Sequence, residues 1–136
     1  MGHYYDENPE VKSNQKKISY HFDKTRLEFT TDAGVFSKDK VDFGSDLLIQ
    51  TFLKEHPPGP SKHIADVGCG YGPIGLTIAK ISPHHQLSLL DVNNRALALA
   101  EINKTKNQIE NAEIIESDCL SAVDNQRFDY VLTNPP

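Results

Sequence analysis

The chain has 136 residues, 38% of them hydrophobic, enough for one packed core that buries roughly two-thirds of the unfolded surface. A formal charge of -5 and a pI near 5.6 exclude a generic basic coat for nucleic acid, so such contact would need a local patch or other residues. Two cysteines, Cys69 and Cys119, are too few for a disulfide scaffold and lack the near Cys or His of a zinc site, so no metal is expected. No apolar run is long enough to span a membrane and the polar start is unlike a signal peptide, which points to the reducing cytoplasm.

Residues 1 to 16 are polar and without regular pattern. Ile18, Tyr20 and Phe22 then alternate with polar residues, as do Leu27 and Phe29 beyond a turn at Asp23-Lys24-Thr25, the period of a β-hairpin. Asp32-Ala33-Gly34 reads as a second turn that delivers Val35-Phe36-Ser37. From Ser45 the spacing of Leu48, Ile49, Phe52 and Leu53 is helical, with Asp42 or Ser45 available as cap. Pro57-Pro58-Gly59-Pro60 stops that helix and marks the clearest boundary. It divides residues 1–56, a hairpin and helix extension, from residues 57–136.

Beyond the boundary the predicted order is strand, helix, strand, helix, strand, strand. Residues 64–67 are an apolar run closed by glycines, and 74–81 are helical, with Pro73 tolerated in the first turn. A second strand spans 87–92, and a helix from about Asn94 carries Ala96, Leu97, Leu99 and Ala100 on its apolar face. Strands at 112–115 and 128–132 follow. Such alternation predicts an α/β fold with an open parallel sheet, right-handed crossovers and helices on both faces. The ligand then belongs at the carboxyl ends of the strands.

Chemistry-bearing residues collect at those ends. Asp66-Val67-Gly68-Cys69-Gly70-Tyr71-Gly72-Pro73-Ile74-Gly75 leaves a strand and opens a helix, where glycines let a ligand approach the backbone. The spacing of Gly70, Gly72 and Gly75 matches a dinucleotide fingerprint, but by itself reports only close approach. Asp91 could hold a ribose diol or cap the next helix, and Asp118 could accept from an adenine amine or be a solvated turn acid. Asp66 puts negative charge where a pyrophosphate would lie, yet suits an ammonium or sulfonium. The last strand runs into Asn134-Pro135-Pro136, and a prolyl pair forbids a continuing central strand, holding Asn134 at the strand's end.

Five segments stand in order: Gly34-Val35-Phe36-Ser37 with Asp42-Phe43-Gly44-Ser45, residues 66–75, Asp91-Val92-Asn93-Asn94-Arg95-Ala96, Asp118, and Thr133-Asn134-Pro135-Pro136. In that order and spacing the chain, from about residue 25 to its end, resembles the class I S-adenosylmethionine-dependent methyltransferases. It is most similar to the "small domain" group that includes ribosomal small-subunit (guanine-N(2)) enzymes. The resemblance implies a Rossmann-like fold and S-adenosylmethionine as cofactor. Phe36, Ser37, Gly68, Cys69, Gly70 and Gly72 would surround it, Asp66 would lie near the methionyl amine, Asp91 with Val92 at the ribose, and Asp118 at the adenine.

The same resemblance makes Asn134 and Pro135 the catalytic residues, with Asn134 also bordering the cofactor. An exocyclic amine is a poor nucleophile that must be aligned with the sulfonium methyl, and the Asn134 oxygen and Pro135 carbonyl could accept its two hydrogens. The implied substrate is guanine N(2) of 16S ribosomal RNA, with ribosomal RNA or the small ribosomal subunit as partner. Protein glutamine and DNA adenine suit the same Asn-Pro-Pro, and a nicotinamide-dependent oxidoreductase or a non-catalytic binding fragment are the alternatives outside the class. In the family an aromatic residue usually follows Asn-Pro-Pro, then further strands. The expectation is therefore a truncated chain with its C-terminal strands missing, its fourth strand an exposed edge, and no turnover alone.

Overall fold

The computed structural model describes residues 15–32 and 40–135. Phe36, Ser37 and the turn at Ala33-Gly34 lie outside the described residues, as does Pro136.

β1 (Gln15–Phe22) and β2 (Thr25–Asp32) form the expected antiparallel hairpin, with Ile18 opposite Phe29 and Tyr20 opposite Leu27. Its two-residue turn puts Asp23 at φ 51, a left-handed conformation that aspartate tolerates better than most residues. The alternating apolar face goes inward, and Leu27 and Phe29 are fully buried. Each such side chain contributes about 1.5–3 kcal/mol by leaving water.

α1 (Phe43–Glu55) begins two residues before Ser45, because Asp42 is the cap. Its carboxylate accepts from the Ser45 N–H at 3.0 Å and from the Ser45 hydroxyl at 2.7 Å. Ile49, Phe52 and Leu53 form its buried stripe, and the chain leaves the helix at His56, ahead of Pro57. The His56 ring then lies against Phe52 and Tyr130, with centroids 4.4 and 4.5 Å away.

The sheet comprises β3 (His63–Val67), β4 (Gln86–Asp91), β5 (Ala112–Glu116) and β6 (Tyr130–Thr133), in the order β5-β4-β3-β6 with every pair parallel. α2 (Pro73–Ile81) connects β3 to β4, and α3 (Asn94–Lys106) connects β4 to β5. The chain therefore builds outward from β3 in one direction and returns to β3's other side with β6. That reversal creates the crevice where open α/β sheets hold ligands. β6 begins later than the apolar run predicts, because Phe128 packs on the His63 ring at 4.4 Å and the Asp129 carboxylate accepts from the His63 N–H at 2.8 Å.

Among the described residues α1, α2 and α3 flank the sheet on one face, where the alternation predicts helices on both. Buried residues of α1, α2 and α3 share one cluster with Ile64, Leu87 and Leu89 on a single face. On the other face Ala65 and Leu90 meet Val123, backed by Val67, Ile115, Leu120 and Phe128. The segment there is too polar for an amphipathic helix and makes a three-residue 3-10 turn, Ser121–Val123.

One core runs through both sides of the Pro57–Pro60 boundary, joining Ile18, Leu27 and Phe29 to Leu76, Leu89 and Leu99. Asn103 of α3 and Asn107, which caps the helix's carboxyl end, reinforce the junction. Asn103 Oδ1 accepts from the Thr30 N–H at 2.7 Å while its Nδ2 donates to the Thr30 and Tyr71 carbonyls at 3.0 and 2.9 Å. Asn107 holds the Glu28 N–H and carbonyl in the same manner, at 3.0 and 2.8 Å. Side-chain amides thus stand in for a neighbouring strand along the outer edge of β2. No helix among the described residues is long and apolar enough to cross a membrane.

Candidate active site

A cavity of about 670 Å³ opens at the carboxyl end of the sheet, in the size range of small-ligand sites. Its walls are the glycine loop after β3, Asp91 at the end of β4, Asn134 and Pro135 after β6, and the first turn of α1 with its cap. The crevice beside β3 thus gathers residues from Asp42 to Pro135.

Gly68, Gly70 and Gly72 adopt φ of 73, 60 and 100, so side chains at these positions would be strained. This curl turns the Gly68 and Cys69 N–H groups onto the Leu90 carbonyl, at 2.8 and 2.9 Å, and the Gly70 N–H onto Asp91 Oδ2 at 2.8 Å. The glycines serve different purposes. A Cβ on Gly68 would meet nothing within 4 Å, so this glycine leaves backbone bare beside the cavity. A Cβ on Gly72 would come within 2.7 Å of Leu76, and Gly72 turns toward the core instead of the cavity.

Asp91 lines the cavity, and its other oxygen accepts from the Asn93 N–H at 3.0 Å. It is not the cap of α3. Asn93 takes that part, accepting from the Arg95 and Ala96 N–H groups at 2.9 and 3.1 Å. Each Asp91 oxygen retains acceptor capacity for a ligand hydroxyl.

Asp66 lies beneath the loop, 1% exposed, and does not itself line the cavity. Its Oδ2 accepts from the Gly75 N–H at 2.9 Å. Burial pushes its carboxyl up to about 7, against the lowering effect of the Gly75 bond and with a further push from Asp91. Burial, then the Asp66 and Asp91 charges, also raise the Cys69 thiol strongly, which makes it a packing residue and not a nucleophile.

Val92 is 60% exposed next to Asp91, an apolar surface outside the core. Asp118 is exposed in the turn after β5, away from the cavity walls, and its carbonyl accepts from the Ser121 N–H at 3.0 Å. The expected set is thus brought together at Gly68, Cys69, Gly70, Asp91, Asn134 and Pro135, while Asp66, Gly72, Val92 and Asp118 stand behind or beside it. Asp42, Gly44, Ser45, Tyr71 and Ile74 also line the cavity, although none was among the expected cofactor-binding or catalytic residues. All five lie within the ordered segments 42–45 and 66–75, which carried the resemblance without giving these residues individual roles.

The model of the methyltransferase small domain matches residues 26–136. The chain belongs to that family. Its motifs therefore do mark an S-adenosylmethionine-dependent methyltransferase, and S-adenosylmethionine is the cofactor that goes with the family. Among relatives, the chain is 47% identical over 135 residues to "Uncharacterized protein YbxB" of Bacillus subtilis, covering 98% of this chain and 66% of that one. It is 40% identical over 110 residues to ribosomal RNA small subunit methyltransferase C of Erwinia tasmaniensis, covering 81% of this chain and 30% of the relative. A T. thermophilus 16S rRNA N2 methyltransferase (RsmC), solved with AdoMet and guanosine, superposes with a TM-score of 0.80 at 26% identity. That superposition covers 90% of this chain and 33% of the other. The chain thus spans about two-thirds of the Bacillus relative and about a third of the RNA methyltransferases.

The cavity suits the cofactor. A bare backbone at Gly68 admits a close-packed ligand, and the Asp91 oxygens keep acceptor capacity at the cavity wall, as a hydroxyl-bearing ligand requires.

Proposed function

We propose that this chain supplies the S-adenosylmethionine cavity and the amine-accepting tip of a methyltransferase that transfers the methyl group to an exocyclic amine of small-subunit ribosomal RNA, guanine N(2). The observation that carries this reading is the state of Asn134. Its Nδ2 is spent on Asp42 and Ser45, while its Oδ1 takes no hydrogen bond from the described residues, leaving an acceptor at the cavity wall.

The bound cofactor supplies a methyl group activated by its sulfonium. Gly68 and Gly70 would receive the ligand along bare backbone and Asp91 would accept from the ribose hydroxyls, while Asp66 beneath the loop would face the methionyl ammonium and be held ionised by it, since a nearby cation lowers a carboxyl that burial has raised. Asn134 Oδ1 and the Pro135 carbonyl accept the two hydrogens of the amine. They aim its lone pair at the methyl and stabilise the positive charge that develops on nitrogen. Neither acceptor is a base, so the surplus proton passes to solvent. Removing one such group costs on the order of 2–4 kcal/mol of barrier, by analogy with the loss of one oxyanion-hole donor.

Calorimetry with S-adenosylhomocysteine and with NAD tests the cofactor assignment. Binding of the first and not the second is expected; heat with NAD alone would overturn the reading. Incorporation of labelled methyl into 16S RNA by the natural full-length protein, lost in Asn134→Ala, tests the amine assignment. Methylation of a protein glutamine or of DNA adenine in its place would redirect it.

A further inference from the structure

We infer that Asp42, Gly44 and Ser45, the first turn of α1, are positioning residues that fix the amide of Asn134 in the one orientation able to accept from a substrate amine. The inference rests on the reading of the site above, and adds to it the group that orients the acceptor.

Asparagine at a strand end has two ways to present its amide, and only one places oxygen toward an amine. A carboxylate can only accept, so the neighbour that decides between them is Asp42. Burial pushes its carboxyl up, but bonds from the Ser45 hydroxyl, the Ser45 N–H and Asn134 together outweigh that push and hold it below the usual aspartate range. It is therefore ionised at neutral pH. Asp42 Oδ1 accepts from the Ser45 hydroxyl at 2.7 Å, which leaves Ser45 Oγ as an acceptor on its other side. Asn134 Nδ2 donates to that Oγ at 3.0 Å and to Asp42 Oδ2 at 3.2 Å. Both amide protons are used, and a flipped amide would set its oxygen against a carboxylate.

Gly44 closes the third side. A Cβ there would lie 2.8 Å from Asn134 Oδ1, 3.1 Å from Nδ2 and 3.3 Å from Cγ, so the amide lies flat against bare backbone. α1 is itself secured at both ends of β6, through Asn134 at one end and the edge-on contact of Phe52 and the tilted contact of His56 with Tyr130 at the other. The acceptor is thus braced by a helix, and the negative charge of Asp42 lies behind the amide, where it favours positive charge developing on the amine.

The test uses the side-chain amide resonances of Asn134 in chain labelled with 15N-asparagine, together with methyl-transfer kinetics of the natural full-length protein. Ser45→Ala and Gly44→Ala should shift the Asn134 amide resonances and lower kcat by about 10- to 100-fold, the scale of a displaced reacting group. Ser45→Thr keeps the hydroxyl and should restore both readouts. Asp42→Asn preserves the helix cap but removes the charge, and should lower kcat without unfolding α1. Unchanged Asn134 resonances and kcat in Ser45→Ala would overturn the inference. If those resonances shift while the unaltered protein transfers methyl to no RNA, the braced amide is structural only, and the functional reading fails with it.

Discussion

The Gly75 N–H donates to Asp66 Oδ2 across 2.9 Å, joining the first turn of α2 to the strand that precedes the glycine loop. The bond is buried, and it determines how an acid can sit in the core beneath a cofactor site. The folded chain prefers this carboxyl protonated, at about 7 against an ordinary 3.8. Between those values the folded state holds a proton that the unfolded state has lost, so stability falls as pH rises from about 4 to about 7. The stabilisation is complete below the unfolded pKa and gone above the folded one. Three units correspond to roughly 4 kcal/mol, a large share of a domain's 5–15 kcal/mol. Urea unfolding at pH 5 and pH 8 should show this slope, and Asp66→Asn, which can still accept from Gly75, should flatten it.

Gly75 is required by packing. A Cβ there would lie 2.7 Å from Leu89 Cγ and Cδ1 and 2.9 Å from Asp66 Oδ2, and Leu89 is fully buried with nowhere to move. Gly75→Ala should destabilise the chain by about 1–3 kcal/mol, as overpacking does, even though alanine is the better helix former. Denaturant midpoints of the variant and the unaltered chain decide this, and a gain in stability would refute it.

Asn103 carries the hairpin. Its removal takes the Asn103 amide from the buried Thr30 N–H, the Thr30 carbonyl and the Tyr71 carbonyl, and a buried group left unsatisfied costs about 1–3 kcal/mol. Asn103→Ala should therefore cost about 3 kcal/mol or more. Asn103→Asp should fare no better, because a carboxylate cannot donate to the Thr30 and Tyr71 carbonyls. Hydrogen exchange at Thr30 reports the loosening directly.

Asp91 orders the loop and faces the ligand. Asp91→Asn would set one amide N–H₂ against a backbone donor, either Gly70 or Asn93. The affinity for S-adenosylhomocysteine should fall at least about tenfold, equivalent to 1.4 kcal/mol. An unchanged dissociation constant by calorimetry would remove Asp91 from the binding set.

Several features of the chain are local, and these were legible in the sequence. The period of two in Ile18, Tyr20 and Phe22, the prolines after His56, and the passage from apolar strand to glycine loop at Asp66 each act over a few residues, so hairpin, helix end and loop follow from them. The ordered motifs likewise carried the family, and Asn134 was marked because prolines end its strand. Tertiary structure alone decided how side chains share space across long sequence separation. It turned Gly72 into the core, buried Asp66 beneath the loop, gathered the three helices on one face, and set Asn103 against a strand 73 residues away. Above all it brought Asp42 to Asn134, 92 residues apart, because β6 returns beside β3 and α1 packs along it. No periodicity or turn rule encodes that meeting; it follows from the strand order, which the packing of the whole core selects.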